Sequence, residues 1–442
     1  MPQTPDGVLR AYYAIAGLYT LSAALIWGVN TLFLLDAGLD IFGVFVANGA
    51  FTAGMVLFEI PTGVLADTRG RRLSFLLSVA ILIGTTLAYV SVARAGGGLG
   101  AFMVVSVVMG LGFTFYSGAT EAWLVDALDA THYEGELDRV FARGSMVTGA
   151  AMLVGTVSGG VLGSLDLSYP YLLRTGMLVA VFAVALVRMR DLGFTPRAVG
   201  WRALPREMNE VARASIRYGW RRRSVKLLML CSAVQMGFMS WAFYAWQPYF
   251  LELLGRDAVW VAGVVAALVS GSIIVGNGIT DWFVRFCGKR TTLLLWGAGV
   301  KTAAAVGVGF AGSFWLAVTL LLLVTGAMGV AGPVKQAYLH QVVPSEHRAS
   351  VLSFNSLVGS AGGTVALGGL GYLGRAQSIG VGYVVGGLAT LLALPLLRSL
   401  RGLAEEADTI VGARAGRRGA CAAQGLPEVG LVDSTARRAV GE

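Results

Sequence analysis

The feature that most constrains this chain is its supply of apolar runs long enough to cross a bilayer. A spanning helix needs about 20 mostly apolar residues. The sequence offers such runs near 12–35, 41–66, 73–94, 98–127, 144–165, 170–188, 225–251, 258–283, 291–311, 314–339, 349–373 and 378–397. Hydrocarbon offers no partner to a free backbone N–H or C=O, so spanning segments must be helices or closed barrels. Continuous runs of this length predict helices, because barrel strands would alternate over about 10 residues. Only 13% of the residues are charged, against about 25% in soluble domains, too few to coat a water-facing surface of this size. The expected fold class is an all-α membrane protein of twelve transmembrane helices. The expected organisation is a six-helix bundle over 1–188, a basic linker over 189–224, a second six-helix bundle over 225–400 and a disordered tail over 401–442.

The net charge of +9 would raise nucleic acid as a partner on a soluble protein. Its placement argues otherwise. Eleven basic residues fall between Arg188 and Lys226, and others sit at Arg69–Arg72, Arg139–Arg143, Lys289–Arg290, His347–Arg348 and in the tail. The opposite loops hold few, among them Arg94, Arg256 and Arg375. This is the positive-inside pattern, and it puts both termini in the cytoplasm. The segment 204–223 mixes Met208, Val211, Ile216 and Trp220 with arginines. It reads either as an amphipathic helix on the anionic inner leaflet or as a solvated connector. Cys231, Cys287 and Cys421 give no disulfide framework. No cleavable signal peptide is evident, because the first apolar run is long enough to stay in the membrane. High Ala, Gly, Val and Arg usage fits a GC-rich bacterium, and the expected location is the bacterial inner (cell) membrane.

At the turn between the second and third spans the sequence reads Gly63-Val-Leu-Ala-Asp67-Thr-Arg69-Gly70-Arg71-Arg72. It resembles the cytoplasmic loop signature of the major facilitator superfamily in position, sequence and topology. The resemblance covers residues 10–400 and implies two pseudo-symmetric six-helix bundles working by alternating access. It also implies that Asp67 and Arg71, framed by Gly63 and Gly70, form a charge lock, with Asp126 as a third member and Arg348 as the partner across the halves. Charges at a low-dielectric helix mouth are costly unless paired, which supports the same reading. The second half carries an echo, Asp281 and Arg285 followed by Gly288-Lys289-Arg290, as a duplicated unit predicts. In the fifth span, Gly149-Ala-Ala-Met-Leu-Val-Gly155-Thr156-Val-Ser-Gly159-Gly160 is similar to the antiporter motif of the superfamily's exporters, with Thr156 where they carry proline. Gly155, Gly159 and Gly160 also suit close helix packing.

Glu59 and Glu121 lie inside apolar spans. Burial makes a charged carboxylate costly, so either group can take up and release a proton near neutral pH. They are the expected proton-coupling pair; the plainer reading pairs Glu121 with Arg143 and Glu59 with Lys335. Lys301 stands near the middle of the ninth span and must face protein or water, touching an anionic substrate or a buried carboxyl, or else snorkelling. Lys335, Gln336 and His340 follow Gly332-Pro333 in the tenth span, where proline favours a kink. His340 is either a titrating group or an interfacial one.

The family resemblance makes spans one, four, seven and ten the cavity walls. They hold Trp27 and Asn30; Phe113 and Tyr116; Gln235, Phe238, Trp241, Tyr244 and Gln247; and Lys335. A mainly apolar wall with a few amides suits a hydrophobic or amphipathic organic molecule. No cluster of basic residues suited to phosphate is evident. Nor is there a Walker A loop, a His-Glu-x-x-His pair or a GxSxG elbow, so neither ATP drive nor enzymatic chemistry is expected. The expectation is a monomeric proton-coupled exporter without cofactor or metal, in contact with lipid, a small-molecule substrate and protons but not nucleic acid. A proton-coupled nutrient importer and a non-transporting receptor on the same scaffold are the alternatives.

Overall fold

The computed structural model describes residues 4–116, 119–135, 137–194, 206, 213, 220–255, 258–343 and 348–410, with the side chains of Ile60, Asp67, Asp138, Arg348 to Ser350, Leu352 and Ser353 excepted. Among these residues, twelve helices are long and apolar enough to cross a membrane. Spans 1 to 6 are Pro5–Trp27, Ile41–Glu59 (in a helix that runs to Arg69), Arg71–Arg94, Leu99–Ala130, Arg139–Gly163 and Tyr169–Arg188. Spans 7 to 12 are Arg223–Leu254, Val259–Phe286, Arg290–Gly309, Phe314–Val342, Phe354–Ala376 and Ile379–Gly402. An even count puts both described ends on one face, the termini face; the opposite end of the bundle is the far face.

Helix ends follow capping chemistry rather than the edges of the apolar runs. Thr4 caps span 1, accepting from Gly7 N at 3.3 Å with Pro5 at the first turn. The helix therefore begins before the apolar run and stops at Trp27, and a short separate helix, Asn30–Asp36, covers the rest of the run expected to be one span. Asp40 caps span 2 and Ser378 caps span 12 in the same way.

The packing repeats between the halves. Spans 1 and 5, 2 and 4, and 3 and 6 pair in the first half; spans 7 and 11, 8 and 10, and 9 and 12 pair in the second. Each pairing is the other displaced by six spans, as a duplicated unit requires. Span 5 meets span 8 and span 2 meets span 11 across the halves, again a symmetry-related couple. Three apolar clusters fill the interior. The largest lies in the first half around Phe75, Trp123 and Tyr171; the other two lie around Trp241 and Tyr383 and around Tyr338 and Leu397.

The linker reading over 204–223 falls mostly outside the described residues. Trp220 is described: it is exposed, meets the Phe354 ring edge-on at 6.3 Å and has Lys226 Nζ 5.2 Å from its ring centre. The tail differs from expectation at its start. Residues through Ile410 are held against the second half by Asp408, which is only 2% exposed. Residues 411–442 lie outside the described residues.

Candidate functional site

The termini-face signature begins with a backbone constraint. Gly70 has φ 109° and ψ 149°, a region that residues with a Cβ essentially avoid. A Cβ there would also strike the Asp191 carboxylate. That carboxylate takes the place of a side-chain cap that glycine cannot supply, accepting from Arg72 N at 2.8 Å. Arg72 Nη2 in turn donates to Leu186 O at 2.7 Å, at the end of span 6. Arg71 Nε stands 3.8 Å from Asp126 Oδ2, a long and partly solvated ion pair. Trp123 Nε1 donates to Arg190 O at 2.7 Å, tying span 4 to the same segment. A Cβ on Gly63 would meet open space, so close approach is not its reason for being glycine. The side chains of Asp67 and Arg348 lie outside the described residues, so the lock of Asp67 with Arg71, and its partner Arg348 across the halves, stay expectations.

The second half builds a counterpart that the sequence reading placed elsewhere. Asp281 and Arg285 are exposed and form no ion pair among the described residues. The acid that works here is Asp408. Its Oδ1 accepts from Thr291 N at 2.7 Å and its Oδ2 from Thr291 Oγ1 at 2.8 Å. Arg290 Nη1 donates to Ala407 O and Thr409 O, holding the segment that carries the cap. Arg222 pairs with Glu405 at 3.7 Å. Asp191 and Asp408 were both missed; each is an acid shortly after the last span of its half, and nothing in its own neighbourhood names the helix it will cap.

Two cavities lie between these caps and the far face. The first, about 230 Å³, is walled by Tyr19, Trp27, Asn30, Phe113, Arg174 and Tyr244 among others. Tyr116 stands behind it, stacked on Tyr19 with ring centres 3.7 Å apart. Asn30 accepts from Tyr171 Oη at 2.8 Å and donates to Asn48 Oδ1 at 2.9 Å. Arg174 is 6% exposed, surrounded by Tyr19, Tyr89 and Tyr171, and has no carboxylate partner among the described residues. It was missed, although an arginine inside an apolar run is itself a signal of function.

The second cavity, about 170 Å³, is walled by Gln235, Phe238, Lys301 and Lys335 together with Ser232 and Met328. Lys301 Nζ donates to Gln235 Oε1 at 2.7 Å. Lys335 Nζ donates to Ser232 Oγ. Two lysines from different spans thus converge on one cavity, a pairing that the sequence, which shows no basic cluster suited to phosphate, does not reveal. Span 10 runs as unbroken helix through Pro333.

Other candidates are placed differently. Trp241 is fully enclosed between Phe45, Phe238 and Tyr383 and lies outside both cavities. Glu59 and Glu121 lie on the protein's surface rather than in its packed interior; Glu121 lies within electrostatic reach of Tyr12 and Tyr116. Gln336 and His340 are exposed on span 10.

Among the described residues, hydrogen bonds and an ion pair join the halves at the far face. Gln247 is wholly buried there: its Nε2 donates to Trp27 O at 2.8 Å and its Oε1 accepts from Thr31 N at 3.2 Å. Thr31 Oγ1 donates to Tyr244 O at 3.0 Å, and Arg375 pairs with Asp40 at 3.0 Å. One member of the span 5 glycine motif, Gly160, is part of this closure, while Gly155 and Gly159 pack span 5 on span 1 within the first half. A Cβ on Gly159 would collide with Leu25 O of span 1, one on Gly155 would sit 2.6 Å from Ala24 Cβ, and one on Gly160 would sit 2.7 Å from Gly263 Cα of span 8. Thr156 bonds Met152 O at 2.9 Å within its own helix.

Comparison with known proteins agrees with this architecture. Residues 12–367 match the family described as Major Facilitator Superfamily. The chain is 20% identical over 401 residues to the "Uncharacterized MFS-type transporter YxaM" of Bacillus subtilis (strain 168), covering 88% of this chain and 94% of that protein. It is 26% identical over 259 residues to the "Multidrug transporter MdfA" of Yersinia pestis bv. Antiqua (strain Angola), an alignment that spans 57% of each chain. The crystal structure of the nucleoside transporter NupG superposes with TM-score 0.72 at 10% identity, over 89% of this chain and 98% of that one. The sequence match, together with twelve spans in two repeated bundles, identifies the chain as a multi-pass membrane transporter belonging to the major facilitator superfamily.

Proposed function

We propose that the chain exports an amphipathic small organic molecule in exchange for protons, its two bundles rocking so that the cavities open to one face at a time. The observation that carries this reading is the separation of the two closures. Among the described residues, side-chain bonds joining the halves lie at the far face, through Gln247, Thr31, Arg375 and Asp40. The charged residues of the family signature lie at the termini face, around Arg71 and Asp126. A protein with one closure at each end of a central cavity has the parts that alternating access needs. With the termini face cytoplasmic, the far-face seal holds the cavities toward the cytoplasm. Similarity to a protein named as a multidrug transporter favours efflux.

In this scheme Asp67, Arg71, Asp126 and Arg348 close the termini face when the far face opens. Glu59 and Glu121 exchange protons with the cytoplasmic side, and protonation of either removes a charge near the lock and weakens it. Solute and proton then compete for the same state of the protein. The test is transport by proteoliposomes under an imposed pH gradient, with a panel of fluorescent amphipathic compounds. Gradient-dependent movement that disappears in Asp67→Asn is expected, and its direction separates export from import. Unchanged pH dependence in a Glu59→Gln, Glu121→Gln double variant would remove the proton-coupling assignment.

A further inference from the structure

The second cavity concentrates positive charge that the bundle does not neutralise. Lys301 enters from span 9 and Lys335 from span 10, and the two ammonium groups face one cavity close enough to repel each other. Charges inside an apolar bundle are costly and are normally paired. Neither lysine has a carboxylate partner among the described residues. Each ammonium carries three N–H donors and no acceptor. Lys301 uses one on Gln235 Oε1. Lys335 uses one on Ser232 Oγ, which is itself 2.7 Å from Asn355 Oδ1. Among the described residues, two donors on each ammonium have no acceptor. Gln235 and the Ser232–Asn355 pair thus orient the ammonium groups without discharging them. The remaining wall is apolar and deformable, with Met236, Met239 and Met328 beside Phe238.

We propose that this cavity binds the oxyanion end of the transported solute, a carboxylate, sulfonate or phosphonate held between Lys301 and Lys335, with the solute's apolar body against Phe238 and the methionines. The inference rests on the transport reading above and narrows its substrate from any amphipathic molecule to a compact organic anion. Size points the same way: about 170 Å³ is below the roughly 300–1,000 Å³ of pockets for drug-sized ligands. Charge-assisted hydrogen bonds from two converging ammonium groups are stronger than neutral ones, so an anion is held where an isosteric amide is not.

The test uses purified full-length protein and matched single-ring probes: benzoate, benzenesulfonate and phenylphosphonate against benzamide and benzylamine, with inorganic sulfate as an oxyanion lacking a body. The expected result is saturable thermal stabilisation by the three ring anions, little by benzamide or benzylamine, and weaker stabilisation by sulfate. Lys301→Gln and Lys335→Gln are each expected to weaken benzoate binding by roughly 10- to 100-fold, the range for losing a hydrogen bond to a charged group. Retained anion preference in the double variant would overturn the assignment and point to Arg174 instead. If the variants do not fold, the wild-type comparison decides alone: equal stabilisation by benzoate and benzamide overturns the proposal. Proteoliposome transport run in parallel keeps the two readings apart. Gradient-driven movement of neutral amphiphiles without anion preference overturns the anion site and leaves transport standing. Saturable, lysine-dependent binding of benzoate without movement of any probe supports the site and overturns transport.

Discussion

The two halves cap the same helix position with an aspartate, and they do so under opposite conditions. In the first half Asp191 reaches the second residue of span 3, Arg72, from an exposed segment, through one hydrogen bond. In the second half Asp408 reaches the second residue of span 9, Thr291, through two bonds from a site that is 2% exposed. A solvated single bond beside a 3.8 Å ion pair can be broken and remade at little cost, because water replaces the lost partner. A buried double bond cannot. The contrast teaches that repetition of architecture does not carry repetition of anchoring: the first half's turn is held by solvent-exposed contacts, and the second half's turn by buried ones.

The comparison can be broken most directly at Asp408. Asp408→Ala leaves two buried donors on Thr291 without an acceptor, and about 3 kcal/mol of stability should be lost at ~1–3 kcal/mol per group. Thermal unfolding in detergent reads this as a fall in Tm, and a fall no larger than that of Asp191→Ala would end the claim that the second cap is the firmer one. The glycines sharpen it next. Gly70→Ala meets both a forbidden backbone region and the Asp191 carboxylate, whereas a Cβ on Gly288 meets nothing within 4 Å. A loss of about 1–3 kcal/mol is expected for the first and within about 0.5 kcal/mol for the second; equal Tm values for the two variants would contradict the distinction. The smallest effect belongs to Asp191→Ala, about 1 kcal/mol as for an ordinary helix cap. There the sharper reading is transport, which should change more than stability does if this turn is the moving one.

The fold was legible because the membrane writes it into composition: no soluble arrangement tolerates twelve apolar runs with so little charge. Helix ends were less legible, since apolarity continues past Gly28 where the helix of span 1 does not. The charge signature around Gly70 was found because its residues are contiguous. The caps were not, because Asp191 and Asp408 act on helices far away in sequence. Lys301 and Lys335 were each noticed alone, as odd residues in spans 9 and 10, but their convergence exists only once two helices are packed. Arg174 shows a signal that was present and passed over, a charge six residues into an apolar span. Conversely, Trp241 followed the same three-residue steps as Phe238 and Tyr244, yet it packs against neighbouring helices. Helical spacing states that residues share a face, not whether that face meets a cavity or another helix.

The glycine seam at the far face has a consequence for how the halves part. Where span 5 meets span 8, backbone lies against backbone at Gly160 and Gly263. Such a contact holds by dispersion alone, summed over many weak atom pairs. Parting the halves breaks the bonds of Gln247 and Thr31 and the Arg375–Asp40 pair, while at the two glycines no side chains interlock and the contact yields by degrees. The seam's own share of the resistance to opening then scales with contact area, and a single added methyl group is enough to change that share.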